Sequence, residues 1–472
     1  MHWYFGYGAG LDFSNGSPVV DTTSKIKSSW ATETSFTLSD TCGNLLLYGV
    51  DTIFSGNHQF VYDLQINNSL MQMLAIPQPG NDSIVYIFYE NSYEQRIYYA
   101  VVNLKLNGGN GGLISNDSLI GNWNTRATQK LAAYKHCNGQ DIWIITKLGY
   151  APYSKDIYAF LLTSSGLNLT PIVSNVVQNP LIFENDGGCI RFSPDGSKLV
   201  ALYDYWATSD IGNPDSNFVE LYQFDKCSGQ FSNPLIWNFQ TPYYAAFSPD
   251  SKKLYVATFG DYDTAFIGGG CGADSSFIVQ YDVSNYNINV ILSSQFMFYF
   301  ADTLFGQMQL GPDGKIYVAD INRWGFLNNP NDSSTYKSGI INNPNNSGVA
   351  CNYQLNFLNL LRPSIYGFPN FVDSYFSSLE FQNCDIGVQE ISSDNGVIIY
   401  PNPASDLINI QCRSSGINKI KIYNAIGELC LEKNINSENT VIDIHSLSSG
   451  LYVIQFYQNK NQSFINKKII KL

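Results

Sequence analysis

Short apolar runs separated by polar turns mark this chain from end to end. The clearest unit is written three times: FSPDGSKLVAL from Phe192, FSPDSKKLYVAT from Phe247 and LGPDGKIYVAD from Leu310. Each copy is an apolar strand end, a Pro-Asp-Gly or Pro-Asp-Ser turn, a lysine, then a β-branched and aromatic run. Pro presets φ, Asp bonds its own backbone and Gly accepts φ > 0, so the phrase predicts a hairpin. The copies start 55 (192 to 247) and 63 (247 to 310) residues apart. That spacing leaves room for two more strands between copies, which is the period of β-propeller blades.

Weaker versions of the pattern fill the rest of the first 380 residues. SDTCGNLLLYGV from Ser39, PQPGNDSIVYIFYEN from Pro77 and AAYKHCNGQDIWIIT from Ala132 each place a turn before an apolar strand. The strands after the turns centre near Leu46, Tyr86, Trp143, Leu199, Tyr255 and Tyr317. A seventh unit is expected over about 352–377, including IYGFPNFVDSYF. The N-terminal WYFGYGAGLDF supplies a strand expected to pair into the last blade, because an open ring would expose an edge. The reading is all-β: a seven-bladed propeller over 1–380, with six or eight blades also compatible. FQNCDIGVQEISSDNG then lacks an apolar period and reads as a linker over 381–395. Short strands resume at Val397 with the close spacing of a small Ig-like β-sandwich over 396–472.

Composition sharpens this picture. Hydrophobic residues are 44% and charged residues 14%, so the chain packs a core. Aromatics are another 14%, with 32 Tyr and 29 Phe, which suits pleated, half-buried surfaces. No long run has helical period, and no stretch approaches the roughly 18 apolar residues of a membrane helix. The net charge is −13. The tail from 396 carries eight Lys/Arg and five Asp/Glu, so the acidity lies in the main domain. Such a surface repels nucleic acid and anionic lipid. Nine Cys are scattered without a C-x-x-C pair, so a zinc knuckle is not supported. In an oxidising compartment, Cys351 with Cys384 and Cys412 with Cys430 are pairings to consider.

Enzyme signatures are absent: there is no G-x-S-x-G, H-E-x-x-H or Walker loop. The run Gly268 to Gly272 is glycine-rich, but no helical pattern follows it to aim amides at a phosphate. His136 reads as a surface turn residue. Asp195, Asp250 and Asp313 recur at equivalent turn positions, and turn chemistry accounts for them.

The sharpest candidate site is a set of three long loops, each following the second strand of its unit. They carry Asp204, Tyr205, Trp206 and Asp210; then Asp261, Tyr262, Asp263 and Phe266; then Asp320, Arg323 and Trp324. Equivalent loops leave the same face of a propeller. Aromatics, acids and an arginine on one rim suit stacking on sugar rings and bonding to hydroxyls. The alternative is that these aromatics pack their own loops. A structural calcium held by Asp261 and Asp263 is the metal the loops suggest, although their spacing matches no known calcium loop. Otherwise no cofactor is expected. A hydrolase or lyase would need two carboxylates roughly 5–9 Å apart, and Asp204, Asp261 and Asp320 are the residues to compare.

The tail carries a resemblance. YPNPASDLINI (Tyr400 to Ile410), IKIYNAIGE (Ile420 to Glu428), IDIHSLSSGLYVIQF (Ile442 to Phe456) and the terminal Lys467-Lys468-Ile469-Ile470-Lys471-Leu472 resemble the C-terminal sorting domain of the type IX secretion system of Bacteroidetes. The opening Tyr400-Pro401-Asn402-Pro403 and the LSSGLY core carry it. Pro401 and Pro403 stiffen the entry to the first strand, and Gly427 and Gly450 are expected at turns needing φ > 0. The resemblance implies export by the type IX machinery to the outer-membrane surface or beyond. It also implies cleavage of the tail, with the cargo released or joined to surface lipopolysaccharide. No signal peptide precedes His2-Trp3-Tyr4-Phe5, which suggests a truncated or processed start. The first 380 residues are similar to surface proteins of the same bacteria with WD-like or YVTN-like blades, on WYFGYGAGLDF, KHCNGQDIWIIT and GFPNFVDSYF. Together these readings imply a secreted or surface propeller that binds a glycan or protein, or serves adhesion, with a polysaccharide hydrolase or lyase as the competing expectation.

Overall fold

The computed structural model describes residues 1–27, 35–64, 72–91, 94, 96–121, 124–149, 156–176, 187–204, 217–258, 275–301, 303–322, 336–364, 367–376, 397–412, 417–424, 427–434, 439–458 and 464–471. The chain divides into two compact units, Met1–Asn383 and Cys384–Leu472.

The first unit is built from seven sheets among the described residues, antiparallel apart from one short parallel pair and numbered here in chain order. Sheet 1 has three strands, His2–Phe5, Ala9–Asp12 and Val19–Val20. Sheet 2 holds Ser35–Ser39, Leu45–Gly49, Thr52–Ser55 and Phe60–Asp63. Sheet 3 holds Met73–Pro77, Ile84–Asn91, Arg96–Asn103 and Gly112–Gly121. Sheet 4 holds Ala127–Lys135, Ile142–Leu148, Asp156–Thr163 and Gly166–Asn175. Sheet 5 holds Ile190–Phe192, Lys198–Tyr203, Phe218–Asp225 and Gln230–Asn238. Sheet 6 holds Pro242–Phe247, Lys253–Thr258, Ser275–Asp282 and Phe296–Ala301. Sheet 7 holds Thr303–Leu310, Ile316–Asn322, Lys337–Ile341 and Tyr353–Asn359. Sheets 2 to 7 are meanders in which each strand pairs with the next. All six strands predicted to follow a turn are second strands of these meanders.

Neighbouring sheets bury their faces against each other in chain order. Tyr4 packs with Phe36 and Tyr48 between sheets 1 and 2, and Val61 with Met73 and Val85 between sheets 2 and 3. Phe88 meets Leu131 and Ile144 between sheets 3 and 4. Trp143 meets Phe192 and Tyr222 between sheets 4 and 5. Val219 and Trp237 meet Leu254 and Tyr281 between sheets 5 and 6. Tyr244 meets Phe305 between sheets 6 and 7, and Tyr317 meets Trp3 and Phe13 between sheets 7 and 1. The stack therefore closes on itself. Six four-stranded meanders and one three-stranded sheet, each packed on its neighbours in chain order, fit the arrangement of propeller blades.

Two sequence expectations differ from the structure around residues 352–377. Tyr353–Asn359 is the fourth strand of sheet 7, not the start of a new unit. The N-terminal strand does not join the last sheet; it pairs with Ala9–Asp12 in sheet 1. Closure instead uses Pro369–Asn370, which pairs parallel with Ser35–Phe36 on sheet 2. The apolar run PNFVDSYF looks strand-like in sequence, but its partners come from other sheets.

In the second unit, two sheets share one core. One contains Val397–Tyr400, Leu407–Cys412 and Asn439–Asp443; the other contains Leu429–Asn434, Ile417–Asn424, Gly450–Gln458 and Phe464–Lys471. Alternate residues point inward, so Ile408, Ile410, Ile420, Ile422, Ile442 and Ile454 meet between them.

Candidate functional site

Strand direction sorts the connections of the first unit into two ends. In a meander, turns between strands 1 and 2 and between 3 and 4 lie at one end. Loops from strand 2 to 3 and from sheet to sheet lie at the other. These are called the turn end and the loop end below.

The turn end is occupied by structural chemistry. Asp195 accepts from Ser193 Oγ (2.6 Å) and Ser197 N (2.9 Å). Asp250 accepts from Ser248 Oγ (2.6 Å) and Lys252 N (3.1 Å). Asp313 accepts from Tyr317 OH at 2.8 Å. The recurring Asp residues are thus turn-formers that hold their own backbone, as the sequence predicts. The third turn position takes φ of +69° at Gly196 and +77° at Gly314. The copy with Ser251 adopts +61° all the same. Its hydroxyl compensates by accepting from Asp195 N of the preceding sheet, at 3.0 Å. Tyr134 OH reaches Pro194 O at 2.6 Å in the same inter-sheet manner.

A disulfide joins Cys137, in the first turn of sheet 4, to Cys227, in the second turn of sheet 5. Cys351 and Cys430 carry free thiols, so neither pairing considered from the sequence forms. Cys351 is buried in the core shared by sheets 6, 7 and 1. His136 sits beside the disulfide, with Nε2 3.1 Å from Cys227 O, as a turn residue.

The centre of the ring is filled by the segment that closes it. Phe368 N donates to Gln307 Oε1 at 2.8 Å, and Asn370 Nδ2 donates to Gln72 Oε1 at 3.1 Å. Arg191 Nη1 donates to Asn370 Oδ1. Phe192 N donates to Asp373 Oδ2 at 2.8 Å, and Lys135 N to Ser374 Oγ at 3.3 Å. Counting the pairing with Ser35, the segment 368–376 touches first strands, or the residues leading into them, from sheets 2, 3, 4, 5 and 7. It starts beside the loop-end residues Ser35 and Gln72 and finishes beside Lys135 at the turn end. Phe368 and Phe371 pack tilted against Trp3, with ring centres 5.8 and 5.7 Å away. Burial pushes the Asp373 carboxyl up to about 6, against the opposing pull of Arg191. The sequence missed this strap because a single strand-like run does not say where its partners lie.

Below the loops, sheets 4 and 5 enclose a polar cluster. Lys147 and Glu220 are 3% and 0% exposed, with Nζ and Oε2 3.9 Å apart. Lys147 Nζ donates to Tyr203 OH, and Tyr222 OH donates to Glu220. Burial pulls Lys147 down to about 8, while Glu220 partly restores it. Burial and then Glu220 push the Tyr203 hydroxyl far above its usual range. Lys130 Nζ caps the carbonyls of Gly187 (2.6 Å) and Gly188 (3.0 Å). Both lysines lie over the Tyr203 ring, at 5.1 and 4.8 Å from its centre.

Asp204 follows directly, with only 3% of its surface exposed, and bridges Gly187 by backbone. Asp320 pairs with Phe305 in sheet 7. Tyr205, Trp206, Asp210, Asp261, Tyr262, Asp263, Phe266, Arg323 and Trp324 lie outside the described residues, as does the run Gly268 to Gly272. The structure therefore places the strand ends that carry these loops at one end of the ring.

The second unit orders its motif around Asn402. Its Nδ2 donates to Lys468 O at 2.9 Å, and its Oδ1 accepts from Ile470 N at 2.9 Å. Ala404 continues the contact by bridging Lys471 in parallel. Pro401 and Pro403 both follow cis peptide bonds, and Tyr400 is half exposed. Asn402 thus fastens the motif's start to the terminal strand that carries Lys467 and Lys468. Gly427 has the expected positive φ, +84°, in the turn that Asn424 caps. Gly450 also has a positive φ, +158°, and opens its strand directly after the turn and bend at 445–449.

No helix among the described residues is long and apolar enough to cross a membrane. Residues 398–471 match the family of secretion system C-terminal sorting domains, so the second unit carries the sorting domain read from its motifs. An ulvan lyase of Nonlabens ulvanivorans is 31% identical over 94 residues, 20% of this chain. The match spans 17% of that relative's length. Among solved structures, the Dos1 propeller superposes with a TM-score of 0.41 at 9% identity, over 78% of this chain and 72% of its own. PorZ, a surface component of the type IX secretion system of Porphyromonas gingivalis, gives 0.38 at 12% identity, over 98% and 62%. A putative 6-phosphogluconolactonase of Bacteroides fragilis gives 0.36 at 14%, over 87% and 96%.

Proposed function

We propose that this is a surface or secreted seven-bladed propeller, exported through its Ig-like C-terminal sorting domain by the type IX machinery, whose loop end binds an extracellular glycan or protein without catalysis. The sorting-domain match over 398–471 is the observation that carries the export half of this reading. Its counterpart on the cell surface is the secretion machinery, with lipopolysaccharide as the attachment point if the cargo is anchored. The Cys137–Cys227 bond suits an oxidising address.

The binding half rests on elimination among the described residues of the ring. The strap occupies the axis, and a cavity beside it measures about 20 Å³, room for one water and far less than a sugar needs. The turn end is committed to Asx turns, inter-sheet hydrogen bonds and a disulfide. That leaves the loop end, whose sequence offers Trp206, Tyr205, Tyr262, Phe266 and Trp324 as aromatic faces and Asp261 and Arg323 as polar groups, while Asp204, at its strand end, is buried. Glycan-array binding by the full chain tests this, with and without calcium, beside a Trp206→Ala/Trp324→Ala variant. Binding that disappears in the variant supports the site; equal binding by both proteins refutes it. A calcium requirement would favour a structural ion at Asp261 and Asp263.

The competing reading, a surface lyase or hydrolase acting on polysaccharide, is favoured by the partial likeness to the ulvan lyase. Shortening of an acidic polysaccharide by the wild-type chain, lost on Asp261→Asn or Asp320→Asn, would replace the binding reading.

A further inference from the structure

The ring axis contains polar groups that the protein itself does not pair. Arg191 is 4% exposed and Gln309 is 3% exposed, and both line the cavity beside the strap. Arg191 uses Nη1 on Asn370, but its Nη2 meets no hydrogen-bond acceptor. Gln309 donates Nε2 to Leu310 O at 3.1 Å, which leaves Oε1 as the unpaired atom. Asp373 lines the same cavity. Its Oδ2 takes the Phe192 amide, while its Oδ1 stands 3.9 Å from Arg191 Nη1, beyond hydrogen-bond range. The lining of this cavity of about 20 Å³ thus includes one residue with a spare donor, one with a spare acceptor and a carboxylate, set among mostly apolar side chains such as Phe192, Phe247 and Met308.

We propose that this axial cavity is a binding site for one water molecule, which accepts from Arg191 Nη2 and donates to Gln309 Oε1 and Asp373 Oδ1. The donor and acceptor count selects the ligand. A halide would accept from the guanidinium but would face an amide oxygen and a carboxylate with nothing to donate. A metal or ammonium cation would satisfy the oxygens but would be set against Arg191. Water has two donors and two acceptor lone pairs, enough to meet this set, and its size matches the room available. A buried polar group left unpaired is disfavoured, so a neutral bridge between Arg191 Nη2, Gln309 Oε1 and the Asp373 carboxylate is favoured over an empty space. The bridge ties sheet 5, sheet 7 and the strap together at the point where the ring closes.

Crystals of the full chain, at a resolution that shows ordered solvent, test the assignment directly. One ordered peak is expected about 2.7–3.2 Å from Arg191 Nη2 and Gln309 Oε1. Soaks in sodium bromide and in rubidium chloride are expected to leave no anomalous signal there. Gln309→Met keeps the volume but removes the acceptor, and is expected to lose the peak. Oxygen-17 relaxation dispersion should then count one fewer long-lived water in solution. An anomalous peak in either soak, no density in the wild type, or an unchanged peak in Gln309→Met would each overturn the proposal. The wild-type crystal decides alone if the variant does not fold.

Discussion

Opening the Cys137–Cys227 bond should lower the stability of the first unit by about 2–4 kcal/mol. The perturbation is the double variant Cys137→Ser/Cys227→Ser, or reduction of the wild type. The two cysteines are 90 residues apart in sequence. Closing a loop of that length removes unfolded-state entropy worth about 4.6 kcal/mol at 25 °C on the chain-entropy relation. The measured loss should fall below that ceiling, because the reduced unfolded chain keeps some compactness. Little of it should come from the folded seam, which has other ties. Cys137 N donates to Lys226 O at 3.2 Å, and Trp143 Nε1 donates to the same carbonyl at 2.8 Å. The assay is a denaturant titration of oxidised, reduced and double-serine protein, with peptide mapping to verify the linkage. The midpoints of the reduced and serine proteins should coincide and lie below that of the oxidised protein. An unchanged midpoint on reduction would refute the reasoning. So would a map that links Cys137 to any other cysteine.

Other outcomes follow from single residues. The Asp373 carboxyl is raised to about 6 in the fold from an ordinary 3.8. It therefore binds its proton more tightly when folded, and this contribution to stability is complete below about pH 4 and lost as pH rises through 6. The ceiling is about 3 kcal/mol, and Asp373→Asn should flatten the slope of denaturant midpoint against pH across that window. Ser251 holds a positive φ and also accepts from the Asp195 amide. Ser251→Ala keeps the strain and loses the bond, so a loss of about 1–2 kcal/mol is expected. Ser251→Gly relieves the strain as it loses the bond and should stay within about 0.5 kcal/mol of wild type, which thermal melts of both variants can check.

What was legible in the chain was local. The Pro-Asp-Gly phrases, read through φ preferences and Asx bonding, located the first turns of sheets 5, 6 and 7. Their weaker relatives marked sheets 2, 3 and 4, because a hairpin needs only residues close in sequence. The sorting unit was legible for the same reason: its motifs are contiguous, and alternation along LINIQC and IKIYNA already chooses the inward face. Three features depended on the closed ring. Cys137 finds Cys227 only because adjacent sheets bring two turns together, so spacing could not select it over Cys351 or Cys430. PNFVDSYF reads as one more strand until the ring supplies Gln72, Arg191, Gln307 and Lys135 as its partners. Lys147 and Asp204 look solvent-facing by residue type, yet both are buried; burial pulls the Lys147 ammonium down, and Glu220, arriving from the next sheet, partly offsets this. Patterning along a strand decides which side chains turn inward, whereas the meeting of separate strands decides what they touch there.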